Sequence, residues 1–114
     1  MIRRRDFMAG SASVLAAPMI VRRALAQDPE VTLQLHHFLS PQAPAHSKML
    51  APWAKAIEDD SNGRIKININ PSMSLGGAPP QLFRQVVDGV VDIVWTVNGY
   101  TPGLFPRSEI FELP

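Results

Sequence analysis

The 114-residue chain is 46 % apolar and has no cysteine, so it can build a packed core but has neither a disulfide framework nor thiolate chemistry. Its formal net charge of +1 hides an asymmetry: up to Ala26, Arg3, Arg4, Arg5, Arg22 and Arg23 oppose Asp6 alone, whereas from Gln27 onward six Lys/Arg face nine Asp/Glu, a net of −3. That mildly acidic body lacks the basic face that nucleic acid binding requires.

The first 26 residues read as an address. Arg3, Arg4 and Arg5 form a basic start, and Met8 to Val21 is a weakly apolar stretch interrupted by Gly10, Ser11, Ser13 and Pro18. Ala24-Leu25-Ala26 has the small-x-small form that signal peptidase accepts. The apolar run is shorter than the roughly 20 residues that span a bilayer. Arg4-Arg5-Asp6-Phe7-Met8 resembles a twin-arginine signal, and the low hydrophobicity and the Arg22-Arg23 pair fit that route better than general secretion. Residues 1–26 are therefore expected to be a signal peptide, cleaved near Ala26, that delivers residues 27–114 to the periplasm.

Within the remainder, Val31 to Phe38 alternates apolar and polar up to Leu35 and predicts a strand. Ser40-Pro41-Gln42-Ala43-Pro44 breaks it. His46 to Asp60 has helical spacing, with Met49, Leu50, Trp53, Ala54 and Ile57 as one apolar stripe. Pro52 cannot donate to the Lys48 carbonyl, which predicts a kink or a helix starting near Ala51. Asn62-Gly63 supplies a left-handed stop. Ile65, Ile67 and Ile69 alternate strictly with Lys66, Asn68 and Asn70, the clearest strand signal in the chain. After a loop holding Gly76-Gly77 and Pro79-Pro80, Gln81 to Asp88 reads as a short helix with Leu82, Phe83, Val86 and Val87 toward the core and Gly89 as its cap. Val90 to Val97 is a near-continuous β-branched run, as suits a strand buried on both faces of a parallel sheet. Asn98 to Gly103 is turn-rich, and Leu104 to Pro114 has no clear period. The order strand, helix, strand, helix, strand predicts an α/β fold with a mostly parallel sheet and flanking helices.

No constellation for catalysis or metal binding stands out. His36 and His37 are adjacent on a strand and point to opposite faces, and His46 has no acid at ligand spacing. No serine sits in a nucleophile elbow, and Asp59, Asp60, Asp88 and Asp92 lie where solvated or capping carboxylates belong. Leu75-Gly76-Gly77 lacks the spacing of a nucleotide loop. A helix start after a glycine pair can hold an anion, or the glycines simply permit a tight turn. In open α/β sheets ligands sit beyond the carboxyl ends of the strands. His37 and Phe38 end the first strand, and Trp95 to Tyr100 end the third. His37, Phe38, Trp95, Asn98 and Tyr100 are thus the candidate ligand-binding residues, with core packing of Trp95 and Phe38 and a surface-turn place for Tyr100 as the competing reading.

Asn62 to Ile67, Pro71-Ser72, Leu75-Gly76-Gly77, Gln85 to Ile93, Pro52-Trp53-Ala54 and the closing Phe111-Glu112-Leu113-Pro114 together resemble the TRAP-transporter solute-binding (DctP-like) family over nearly all of residues 27–114. The resemblance implies that this stretch is part of one lobe of a bilobed periplasmic-binding-protein fold, truncated at its C-terminus. It implies a protein that captures a small organic acid and hands it to TRAP membrane permease subunits, with no cofactor and no enzymatic step. The family's carboxylate-clamping arginine belongs to the other lobe, so neither Arg84 nor Arg107 takes that role. Ala78-Pro79-Pro80 departs from the charged residues common after the glycine pair. A binding protein of an ATP-driven importer, or a sensor, is the alternative; a periplasmic enzyme is a third reading that the lack of a catalytic constellation disfavours.

Overall fold

In a computed structural model, which describes residues 28–112, strand β1 spans Val31–His37 and enters from solvent, becoming fully buried over its last three residues. The signal-peptide assignment, the cleavage position and the final Leu-Pro pair lie outside the described residues. Strand β2 (Ile65–Asn70) runs parallel to β1, pairing Leu33 with Ile67 and Leu35 with Ile69, so two alternating apolar rows merge into one. Strand β3 (Ile93–Trp95) pairs parallel on the other side of β1, Leu35 with Ile93 and His37 with Trp95. The sheet order is β2-β1-β3.

Helix α1 (Ala51–Asp60) connects β1 to β2. Leu50 and Ala54 bury against Leu35 and Ile67, with Leu33, Ile57, Ile69, Ile93 and Trp95 packed around them. One π-helical turn, Ala45–Leu50, precedes α1, and the Ala51 N–H donates to the His46 carbonyl five residues back. This wider turn sits immediately before Pro52, whose ring nitrogen cannot join the ladder, and Pro52 falls in the first turn of α1. Asn62 (φ 55°) and Gly63 (φ 77°) are both left-handed, and the Gly63 N–H reaches the Glu58 carbonyl at 2.8 Å, ending α1 as the sequence predicts. Met49 and Trp53 depart from expectation: both are exposed at the flank of the stripe.

Helix α2 (Leu82–Val87) crosses from β2 to β3. Leu82 is fully buried, but Val87 is exposed. The run from Val90 to Val97 was expected to be one strand buried on both faces, and only its centre pairs. The Val90 N–H donates to the Gln85 carbonyl at 2.8 Å and so belongs to the end of α2, while β1 stops at His37 and offers nothing beyond Trp95. Asp92 ties the start of β3 to β1, accepting from the Gln34 N–H at 2.7 Å while its own N–H donates to the Gln34 carbonyl at 3.0 Å. The segment after Tyr100, which shows no period, folds into α3 (Pro106–Glu109) and a short 3-10 turn, Ile110–Glu112.

Candidate functional site

The two crossovers run in opposite directions across the sheet, the first from β1 outward to β2 through α1 and the second from β2 back past β1 to β3 through α2. Right-handed connections then place α1 and α2 on opposite faces, and side-chain pairing agrees: Leu35 packs under α1, whereas His36 bonds to Gln85 of α2. The strand order reverses between β1 and β3, and in open α/β sheets that switch point opens a crevice beyond the carboxyl ends of the strands.

Three of the five candidate residues meet there. Phe38 lies 5.6 Å from Trp95 and 5.5 Å from Tyr100, centroid to centroid, the latter pair edge-on. Phe38 and Trp95 are half-buried, and Tyr100 is exposed on the 3-10 turn Asn98–Tyr100. Aromatic faces held apart from solvent on one side and open on the other suit a flat apolar ligand. Asn98 starts the same turn. Its main-chain N–H and that of Gly99 both donate to the Glu112 carboxylate, and its carbonyl accepts from the Thr101 N–H, whereas its side-chain amide makes no hydrogen bond among the described residues. Thr96, which sequence reasoning passed over, has a buried hydroxyl with no partner among the described residues.

His37 is placed differently. Leu33, Leu35 and His37 share the α1 face, so the His37 ring turns inward and is fully buried. The Leu39 N–H donates to His37 Nδ1 at 3.1 Å, and His37 Nε2 lies 2.9 Å from Nδ1 of His46. A ring nitrogen that accepts carries no hydrogen, so the His37 proton is on Nε2, and it donates to His46. Burial, with smaller contributions from the neighbouring His46 and His36 rings, holds the His37 imidazole below the ordinary histidine pKa. On the opposite face His36 accepts from the Leu75 N–H at Nε2, 3.3 Å, and so donates from Nδ1 to Gln85 Oε1 at 2.6 Å. Gln85 in turn donates to the Gly76 carbonyl at 3.0 Å.

That network decides what the glycine pair does. A Cβ on Gly77 would come within 2.7 Å of Gln81 Oε1, and its φ of 85° is left-handed. The loop closes on Gln81, just ahead of α2, and on Gln85 within it, so the glycines serve a tight turn. Among the described residues no group of three or more His, Cys, Asp or Glu side chains could hold a metal ion.

Beside the aromatic cluster, a cavity of about 290 Å³ opens between α1 and β3, lined chiefly by Leu35, Met49, Leu50, Trp53, Ile93 and Trp95. Trp95 thus belongs to both the cavity wall and the cluster.

Residues 35–114 match the family model described as bacterial extracellular solute-binding protein, family 7. A marine metagenome TRAP solute-binding protein described as specific for aromatic acid ligands, from an unidentified microbe and crystallised with 3-hydroxybenzoate, is 55 % identical with a TM-score of 0.71, over 76 % of this chain and 27 % of that one. A TRAP solute-binding protein from Rhodoferax ferrireducens with copurified benzoate is 49 % identical with a TM-score of 0.69, over 73 % of this chain and 26 % of that one. The Comamonas testosteroni protein named outer membrane transporter protein TsaT is 36 % identical over 83 residues, 73 % of this chain and 24 % of its own length. The chain thus spans about a quarter of the length of these relatives. Its parallel three-stranded α/β unit corresponds to part of one lobe of the bilobed TRAP-binding-protein architecture, and the chain belongs to the family-7 bacterial extracellular solute-binding proteins.

Proposed function

We propose that the protein captures a small aromatic carboxylic acid in the periplasm and delivers it to TRAP membrane permease subunits, without chemistry on the ligand. The observation that carries this reading is the Phe38–Trp95–Tyr100 cluster at the β1/β3 switch point. Relatives at 49 % and 55 % identity, crystallised with benzoate and 3-hydroxybenzoate, support the same ligand class. Asn98 supplies a side-chain amide that can pair with a ligand oxygen, and the carboxylate clamp is assigned to the other lobe. The aromatic cluster favours this reading over an aliphatic dicarboxylate, which offers no flat face to stack.

The test is a thermal-shift panel on the whole protein with benzoate, 3-hydroxybenzoate and succinate. A ligand that binds only the native state raises its melting temperature by mass action. Benzoate and 3-hydroxybenzoate should raise it and succinate should not; no rise with either aromatic acid contradicts the reading.

Export by the twin-arginine route is part of the same proposal, supported by Arg4-Arg5 and Ala24-Leu25-Ala26. The periplasmic product should begin at Gln27. A product that retains Met1 contradicts cleavage, and unchanged export of the Arg4→Lys, Arg5→Lys double variant contradicts the route.

A further inference from the structure

His37 is spoken for by Leu39 on one side and His46 on the other, and this fixes the state of a ring that the ligand reading leaves unassigned. Because His37 donates from Nε2, the His46 Nδ1 must accept. The neutral His46 ring therefore carries its hydrogen on Nε2, and that N–H has no partner among the described residues. A half-buried donor whose tautomer is set from behind is a preorganised recognition group.

Its turn leads into the cavity wall. His46 lies on the π-helical turn before α1, four residues ahead of Leu50. Met49 and Leu50 line the cavity together with Leu35, Ile93 and Trp95. The His46 ring packs against His37 at 5.1 Å, and His37 is the register partner of Trp95. The apolar floor, Leu35 beside Ile93 and then Trp95, thus ends at the switch point on a histidine pair.

We propose that His46 Nε2–H donates a hydrogen bond to an oxygen of the bound aromatic acid and that His37 is the residue that holds it in that tautomer. This rests on the aromatic-acid reading above. The oxygen belongs to the carboxylate or to a ring hydroxyl, and two ligands separate these.

The experiment is calorimetric titration of the whole protein and of its His46→Phe variant with benzoate and 3-hydroxybenzoate, together with ring ¹⁵N shifts of the histidine-labelled parent with and without saturating 3-hydroxybenzoate. A hydrogen bond lost to an anionic ligand should weaken binding about ten- to a hundredfold. Equal weakening for both acids assigns the carboxylate, and weakening confined to 3-hydroxybenzoate assigns the ring hydroxyl. In the parent, His37 and His46 should both show a protonated Nε2, and the His46 Nε2 signal should move on saturation. Affinities within about twofold of the parent for both acids, at the ten- to hundredfold scale above, overturn the proposal. So does a His46 signal that stays fixed while the parent binds, which decides the matter even if the variant does not fold. A parent that binds neither acid overturns the aromatic-acid reading and this proposal with it, whereas binding without any His46 response removes this proposal alone.

Discussion

His37 and Trp95 are register partners on the parallel β1–β3 pair, and their adjacency organises the candidate site. It sets the residue after β1, Phe38, against Trp95, and brings the turn after β3 back over Phe38 through Tyr100. The same pairing carries a buried histidine to within one hydrogen bond of the turn that begins the α1 connection.

Asn98→Ala should weaken aromatic-acid binding about ten- to a hundredfold, the cost of one hydrogen bond to a charged ligand, while the melting temperature of the empty protein stays nearly unchanged. The side-chain amide makes no intramolecular bond among the described residues, so its removal leaves the turn intact. Calorimetry and thermal melting on the same variant decide the question. A lower melting temperature with intact affinity would give Asn98 a turn-forming role instead.

The turn itself is held by Glu112, whose carboxylate takes the N–H groups of Asn98 and Gly99. Glu112→Gln removes the charge and one of the two acceptor oxygens. Because the contact is exposed, the expected loss of global stability is small, about 1 kcal/mol or less. The sensitive readout is amide hydrogen exchange, which should accelerate at Asn98 and Gly99 with little change in the β1 amides. Gly99→Ala should act in the same direction, since a Cβ there would collide with the Glu112 carboxylate. Unaltered exchange in both variants would show that the clamp contributes nothing to the turn.

The His37 ring gives a pH signature. Its folded-state pKa is lowered from the ordinary histidine value of 6.5, first by burial and then by His46 and His36. Below 6.5 the unfolded chain binds a proton that the native state refuses, so stability falls as pH drops from 6.5 and levels off only below the folded value. Protonation would also set a hydrogen on Nδ1 against the Leu39 N–H. Chemical denaturation between pH 7.5 and 5.5 (about one unit either side of the ordinary histidine pKa) should show this slope, and His37→Gln should flatten it. A parent with no slope in that window contradicts the assignment of a neutral, buried His37.

Much of this architecture is legible in the residues alone. The strict period of two at Ile65, Ile67 and Ile69 leaves no other element for β2, and Asn62-Gly63 can adopt the positive φ that ends α1. The short β3 was not legible, because Val90 is taken up by a backbone bond closing α2, which a run of β-branched residues does not announce. A place at the end of a strand suggests His37 as cleft wall, but side-chain direction is set by parity with Leu33 and Leu35, which turns it under α1. The bonds from His36 to Gln85 and from Glu112 to the Asn98 turn join residues far apart in sequence, and nothing local marks either partner. Phe38, Trp95 and Tyr100 were reachable because parallel strands deliver their following residues to one edge, a rule of topology rather than of local pattern.

The central claim is that the aromatic cluster at the β1/β3 switch point holds the ring of an aromatic acid. Calorimetric titration of the whole protein and of Phe38→Ala with benzoate tests it most directly, because Phe38 touches both Trp95 and Tyr100. The account predicts saturable one-to-one binding by the parent and a loss of about tenfold or more in the variant, the worth of one lost aromatic contact with its buried area. Benzoate binding of equal affinity in both proteins would contradict it.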